Sequence, residues 1–175
     1  TTPRDAAGVA IPAGGVSITT NGVVEVKDTA LISLAGGSAV PSGTIDFTLC
    51  EANTAGSALC DVGGRSVLVG NDIAVTDADN AFPVTVTSPS AWVTAAGRYC
   101  WKAVYTGNTV AGYSSSSDVS VGECFVVNPV TTTLSTDAGD GGTLGTAVSD
   151  QATLGGTAPQ PTTAVIHTSA PNAAT

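Results

Sequence analysis

The side chains of this 175-residue chain that could carry chemistry are few: four cysteines, one histidine, 14 carboxylates and five Lys or Arg residues. The cysteines could hold a metal or each other. Ten residues separate Cys50 from Cys60, 40 more lead to Cys100, and Cys124 follows after another 24. No Cys-x-x-Cys occurs, and the sole histidine, His167, lies far away in the tail. Zinc sites are built from closely spaced ligand pairs, so the four thiols are expected as two disulfides, which points to an oxidising compartment. A catalytic apparatus needs a nucleophile with a base, a carboxylate pair or a metal. His167 sits in the strand-like segment TTAVIHTSAP, where a structural role is the simpler reading. No Gly-x-Ser-x-Gly, phosphate loop or dinucleotide fingerprint is present, and the glycines of DAGDGG are followed by neither a helix nor a lysine. The expectation is a protein that is not an enzyme and uses no cofactor.

Calcium is the one metal the carboxylates suggest. Asp77 and Asp79, with Asn80, open the run TDADNAF in the manner of a calcium loop, but the Gly and the terminal Glu that complete such a loop are missing. Asp137 and Asp140 form a second acidic pair in STDAGDGG. Calcium takes six to eight oxygens, and neither cluster supplies enough, so solvated turns are the default for both. Lys27 and Lys102 raise an isopeptide crosslink as a possibility; Lys102 shares the outward face with Cys100 and is expected in solvent. Trp92 and Trp101 could offer a sugar platform, yet Trp101 is in phase with the core. No Asn-x-Ser/Thr sequon occurs, although the Thr-rich segments could carry O-linked sugars.

The elements that must position these residues read as strands. Gly 21 and Pro 9, with abundant Thr, Ser and Val, favour strands and turns. Residues 1–15 read as an irregular leader. VSITT and VVEVKDTALISLA flank the turn Asn21-Gly22 as two strands. In TIDFTLC, Ile45, Phe47 and Leu49 alternate with Asp46, Thr48 and Cys50, which marks a half-buried strand. RSVLVG and AFPVTVT follow. GRYCWKAVY is the strongest strand, with Tyr99, Trp101, Ala103 and Tyr105 on one face, and ECFVVN closes the set with Phe125 and Val127 inward. The predicted core is therefore Phe47, Tyr99, Trp101 and Phe125. About seven or eight short strands, with turn signals every 8 to 12 residues, predict an all-β antiparallel sandwich over 16–128. Cys50, Cys100 and Cys124 are out of phase with these inward residues and belong on the outer face of one sheet.

The charges, 14 acidic against 5 basic for a net of −9, exclude the clustered cations that nucleic acid requires. No run is long and apolar enough to span a bilayer. The chain starts at Thr1 and lacks Met, so a processed or shortened start is expected, consistent with a signal peptide already removed.

The order FTLC, ALC, GRYCWKAVYTG and ECFVVN resembles the immunoglobulin-like repeats of secreted and cell-surface bacterial proteins. TAAGRYCW resembles the corner at the start of strand F in that fold, though Cys100 follows Tyr99 directly and so points to the opposite face. The resemblance implies an immunoglobulin-like sandwich in which strands C and F are antiparallel neighbours. On that strand order the pairing expected is Cys50–Cys100 with Cys60–Cys124, although the sequence alone permits three pairings. TTTLST and AVSDQATLGG resemble the opening of a further repeat, and Asp150 corresponds to Asp28 of DTALISLAGG. Residues 129–175 thus look like an incomplete second repeat, with no Phe, Trp, Tyr, Cys, Lys or Arg. Such repeats serve as stalks, adhesin modules and filament subunits, so fold does not settle role. The expectation is a non-catalytic extracellular or cell-surface structural protein that forms a homo-oligomer or homopolymer. Head-to-tail strand addition would use segments 131–136 and 162–168, with Thr131, Thr133, Leu134, Val165 and Ile166 as assembly residues. An adhesin or stalk fragment with a cell-surface ligand, or a carbohydrate-binding module with a glycan ligand, is the alternative.

Overall fold

Inward and outward residues alternate along the longer strands, and that period of two builds two facing sheets. The computed structural model describes residues 1–34, 40–52, 60, 65–76, 81–156 and 165–171. The strands in chain order are β1 Thr2–Asp5, β2 Val16–Ser17, β3 Val24–Ile32, β4 Thr44–Glu51, β5 Ser66–Ala74, β6 Val84–Thr87 and β7 Ala91–Val93. They continue with β8 Gly97–Thr106, β9 Ser116–Asp118, β10 Cys124–Asn128, β11 Thr133–Ala138, β12 Asp150–Gly155 and β13 Ile166–His167. Among the described residues there is no α-helix, only two short 3-10 turns. The protein is an all-β sandwich.

The first sheet runs β1–β3–β7–β13, with β6 on the same edge of β3 as β7. The second runs β2–β10–β8–β4–β5, with β9 continuing beside β8 where β10 leaves off. Pairing is antiparallel throughout except for β2, which lies parallel to β10. Val26, Ala91 and Val93 of the first sheet and Phe47, Leu49, Tyr99, Trp101 and Val127 of the second fill the interior with essentially no exposure. Phe125 completes it, its ring stacked on that of Tyr99 at 6.1 Å between centroids. Burying each large apolar side chain contributes roughly 1.5–3 kcal/mol, so this small aromatic set supplies much of the driving force in an interior otherwise rich in Val and Ala. The Tyr99 hydroxyl donates to the Ala95 carbonyl oxygen at 2.8 Å and pins the turn that leads into β8.

Three expectations are corrected. The leader is not irregular throughout, because Thr2–Asp5 forms an edge strand on β3. The stretches flanking Asn21-Gly22 do not pair with each other: β2 joins β10 in the second sheet, while β3 is central to the first. Gly15, at φ +81°, makes the crossing between sheets possible, since a Cβ there would collide with the Val126 carbonyl oxygen. The disulfides are Cys50–Cys60 and Cys100–Cys124, not Cys50–Cys100 and Cys60–Cys124.

The reason lies in register. Cys50 is directly opposite Cys100, and Cys100 is directly opposite Cys124, so three cysteines form one row across β4, β8 and β10. Cys100 has a cysteine on each side, and strand order alone cannot choose between them. Cys60 decides the matter by returning over Cys50, with a Cα–Cα separation of 5.3 Å. Cys50, Cys60 and Cys100 form a buried cluster separate from the main core, on the outer face that the parity of Cys50 and Cys100 requires.

Candidate functional site

The tail divides into a part that folds back and a part that does not. β13 adds to β7, with Ile166 opposite Val93 and His167 opposite Trp92. The Thr94 amide donates to the Val165 carbonyl oxygen at 3.0 Å. Ile166 is buried in the sandwich core and Val165 packs against it. Val165 and Ile166, expected to be donated to a neighbouring molecule, are therefore used by their own chain. Beside β7 the apolar pair is covered by the sandwich.

β11 and β12 form a separate two-stranded ribbon in which Leu134 faces Leu154, Thr136 faces Ala152 and Ala138 faces Asp150. By alternation these residues share one face, while Thr133, Ser135 and Asp137 share the other with Thr153 and Gln151. The first face is largely apolar, yet Leu134 is 69% and Leu154 58% exposed. Leu144 and Val148, in the connection between the strands, are also exposed. The outer edges of β11 and β12 have no strand partner among the described residues. Thr131 lies just before the ribbon, and its carbonyl oxygen approaches Gly156 so closely that no Cβ would fit; φ +74° at that glycine closes the base.

Of the calcium candidates, Asp77 and Asp79 lie outside the described residues. Asp137 is exposed on β11 opposite Gln151, and Asp140 is exposed in the connection that follows. Among the described residues, no group of three or more His, Cys, Asp or Glu could hold a metal ion. Lys27 is paired with Glu25 at 3.5 Å and Lys102 is half-buried. Trp101 is fully buried, and its indole N–H has no hydrogen-bond partner among the described residues. Trp92 is half-buried and lines a shallow open groove with Asp5, Thr19, Val23 and Glu25.

Sequence reasoning missed a second polar constellation. Asp28 and Glu123 are buried, and the ammonium of Thr1 lies 3.3 Å from Glu123 and 2.7 Å from Asp118. The signal was present in β3: Asp28 is in phase with the inward residues Val24, Val26 and Ala30. A carboxylate on the core face of a strand demands a partner.

No helix of the described residues is long and apolar enough to cross a membrane. Compared with known proteins, the chain matches no family model, no curated protein and no solved structure.

Proposed function

We propose that the protein is a non-catalytic structural module of the cell exterior that assembles with copies of itself through its C-terminal ribbon. The observation that carries this reading is the exposed Leu134–Leu154 face on a two-stranded ribbon whose outer edges have no strand partner among the described residues. A lone hairpin is marginal in water, and a third strand or a covering layer is what stabilises it. Open edges of this kind pair with another chain unless something blocks them. The ribbon carries no Lys or Pro on its strands to discourage pairing. The acceptor best suited to it is β5, nine residues long, with β4 its one strand partner among the described residues and Leu68 half exposed. A donor ribbon that emerges between β10 and β13 and an acceptor elsewhere on the sandwich make a head-to-tail contact that does not close, which generates filaments.

An immunoglobulin-like lineage for the sandwich is part of the same proposal. It is supported by the order β1–β3–β7 facing β10–β8–β4 and by the hydrogen bond from Tyr99 to the backbone four residues upstream. In that order β13 takes the edge seat beside β7, a place otherwise given to a strand from within the domain. Two disulfides are compatible with secretion.

The test is the variant Leu134→Lys/Leu154→Lys in the full chain, followed by light scattering after size exclusion. Both positions are exposed, so the melting temperature is expected to stay within about 2 °C of the parent while the assembled fraction disappears. Unchanged assembly would remove the ribbon from the account. A glycan-binding role is favoured only by Trp92 in its open groove; saturable glycan binding abolished by Trp92→Ala would favour that role instead.

A further inference from the structure

The outer face of the first sheet carries an aromatic groove that assembly through the ribbon does not use. Trp92 stands outward on β7 between the buried Ala91 and Val93. Glu25 stands outward on β3 between the buried Val24 and Val26. Register sets Trp92 and Glu25 directly opposite each other. Together with Asp5, Ala6, Thr19 and Val23 they line an open groove of about 390 Å³, at the small end of ligand-sized sites. Two hydrogen-bonded turns border it. In the first, the Asp5 N–H donates to the Val9 carbonyl oxygen and the Val9 N–H returns to Asp5 Oδ1, each at 2.9 Å. In the second, Thr19 Oγ1 donates to the Val23 carbonyl oxygen at 2.8 Å, and the Gly22 N–H donates to the Thr19 carbonyl oxygen at 2.9 Å. Walls fixed before a ligand arrives lose little freedom on binding.

The polar groups of the groove are one-sided. The carboxylates of Asp5 and Glu25 only accept hydrogen bonds. The Thr19 hydroxyl has given its hydrogen to Val23 and accepts the Asn21 N–H as well. Lys27 is engaged with Glu25 and with the Ala6 carbonyl oxygen, each at 3.5 Å. Among the described side chains of the groove, only the Trp92 indole N–H is left to donate. A sugar hydroxyl both gives and takes hydrogen bonds, so a surface of acceptors matches it poorly. A guanidinium suits the same surface: it offers five N–H donors, accepts nothing, stacks on an indole and grips carboxylates. Lys27 offsets one of the two negative charges, while Asp5 has no ion-pair partner among the described residues. The net charge of −9 adds a general attraction for cations.

We propose that this groove docks an exposed arginine side chain of a partner protein, its guanidinium stacked on Trp92 and paired with Asp5 and Glu25. Free arginine is the poorer fit, because its α-carboxylate would meet the same two acids with Lys27 already engaged. The residues involved belong to the first sheet and its bordering turns, so binding does not depend on oligomerisation.

The test follows the intrinsic fluorescence of the full chain, with Trp92→Phe as the control that the buried Trp101 contributes no change. An N-acetylated, C-amidated Gly-Ser-Arg-Ser-Gly peptide is expected to give a saturable change with a Kd on the order of 1 mM, as one cation–π contact with exposed ion pairs provides. The same peptide with citrulline in place of arginine, similar in shape but neutral, should bind at least about tenfold more weakly. Free L-arginine should also bind more weakly than the blocked peptide. Asp5→Asn keeps the acceptor for the Val9 N–H and should weaken the arginine peptide about two- to fivefold. Asp72→Asn removes an equal charge from the second sheet and should leave binding unchanged. No saturable change with the arginine peptide, equal binding of the citrulline peptide or of free arginine, or equal weakening by Asp72→Asn would each overturn the proposal. Saturation by cellohexaose without a response to the arginine peptide would overturn it in favour of a glycan site.

Discussion

Asp28 sets the most specific expectation at the level of single residues. Burial, reinforced by the negative charge of Glu123, pushes its carboxyl up to about 7 from an ordinary value near 3.8. The folded state therefore holds this proton more tightly than the unfolded chain does. The stability linked to it is fully present below about pH 4 and is lost as pH rises through about 7. Burial alone would lower the Thr1 ammonium, but the Asp118 hydrogen bond and the charges of Glu123 and Asp118 outweigh it and raise the group above 8.0. Its contribution has the same sign and is lost at still higher pH. Asp118 works the other way. Burial would raise it, yet hydrogen bonds from the ammonium and Ser120 hold it below its ordinary value, so its contribution is lost in acid. The melting temperature is thus expected to fall between pH 5 and pH 8. Asp28→Asn, which keeps an acceptor and replaces the proton with an N–H donor, should flatten that slope and melt a few degrees above the parent at pH 8. A slope of unchanged steepness in the variant would mean that Asp28 does not control it. A second expectation concerns Tyr99→Phe, which strands the Ala95 carbonyl and should cost about 1 kcal/mol in denaturant unfolding. Inward positions such as Phe47, Trp101 and Phe125 were legible from alternation alone. The buried acids were not, because a sequence shows that Asp28 points inward but not which cation meets it.

Strands and crosslinks behave according to what closes them. The pairing found here encloses sequence separations of 10 and 24 residues, shorter than the pairing expected from strand order. Loop-closure entropy then gives about 3 kcal/mol for each bond. Cys100–Cys124 closes the longer loop and fastens β10 to β8, so Cys100→Ala/Cys124→Ala should lower the denaturation midpoint more than Cys50→Ala/Cys60→Ala. β13 is a different case. It is two residues long and held by Ile166 in the core and by a backbone bond to Thr94. The cost of Ile166→Ala is capped by the free energy of docking that short strand, because the strand can detach instead of leaving a cavity. The expected loss is therefore about 1–2 kcal/mol, below the usual 2–5 for a core isoleucine. Amide exchange at Thr94 should quicken at least tenfold while amides of β8 stay protected. A loss of protection spread over the whole sandwich would show that β13 is integral to it. The strand-forming character of TTAVIHT was plain from its residues. That it would return to β7 was not, since the β7 edge that receives it is created by the order of strands far upstream.

The contrast between sandwich and tail organises the whole molecule. Aromatic side chains and both disulfides are concentrated in the sandwich, and its interior is complete once Ile166 is docked. The ribbon has the alternation of a sandwich strand pair but no second layer among the described residues, and its leucines stay largely exposed. The fold class and the poverty of the tail could both be read from residue types, because the aromatics and cysteines needed for a second core are absent after Phe125. The division of the tail between self-use at β13 and exposure at β11–β12 could not, since it depends on which edge lies within reach. Self-assembly requires that the exposed ribbon join one chain to the next. Sedimentation of the intact chain over a hundredfold range of concentration, with negative-stain microscopy of the same samples, addresses that most directly. Growth of the sedimentation coefficient with concentration and the appearance of linear particles is the predicted result. A single monomeric species across the range, with β11–β12 amides already protected from exchange, would contradict it.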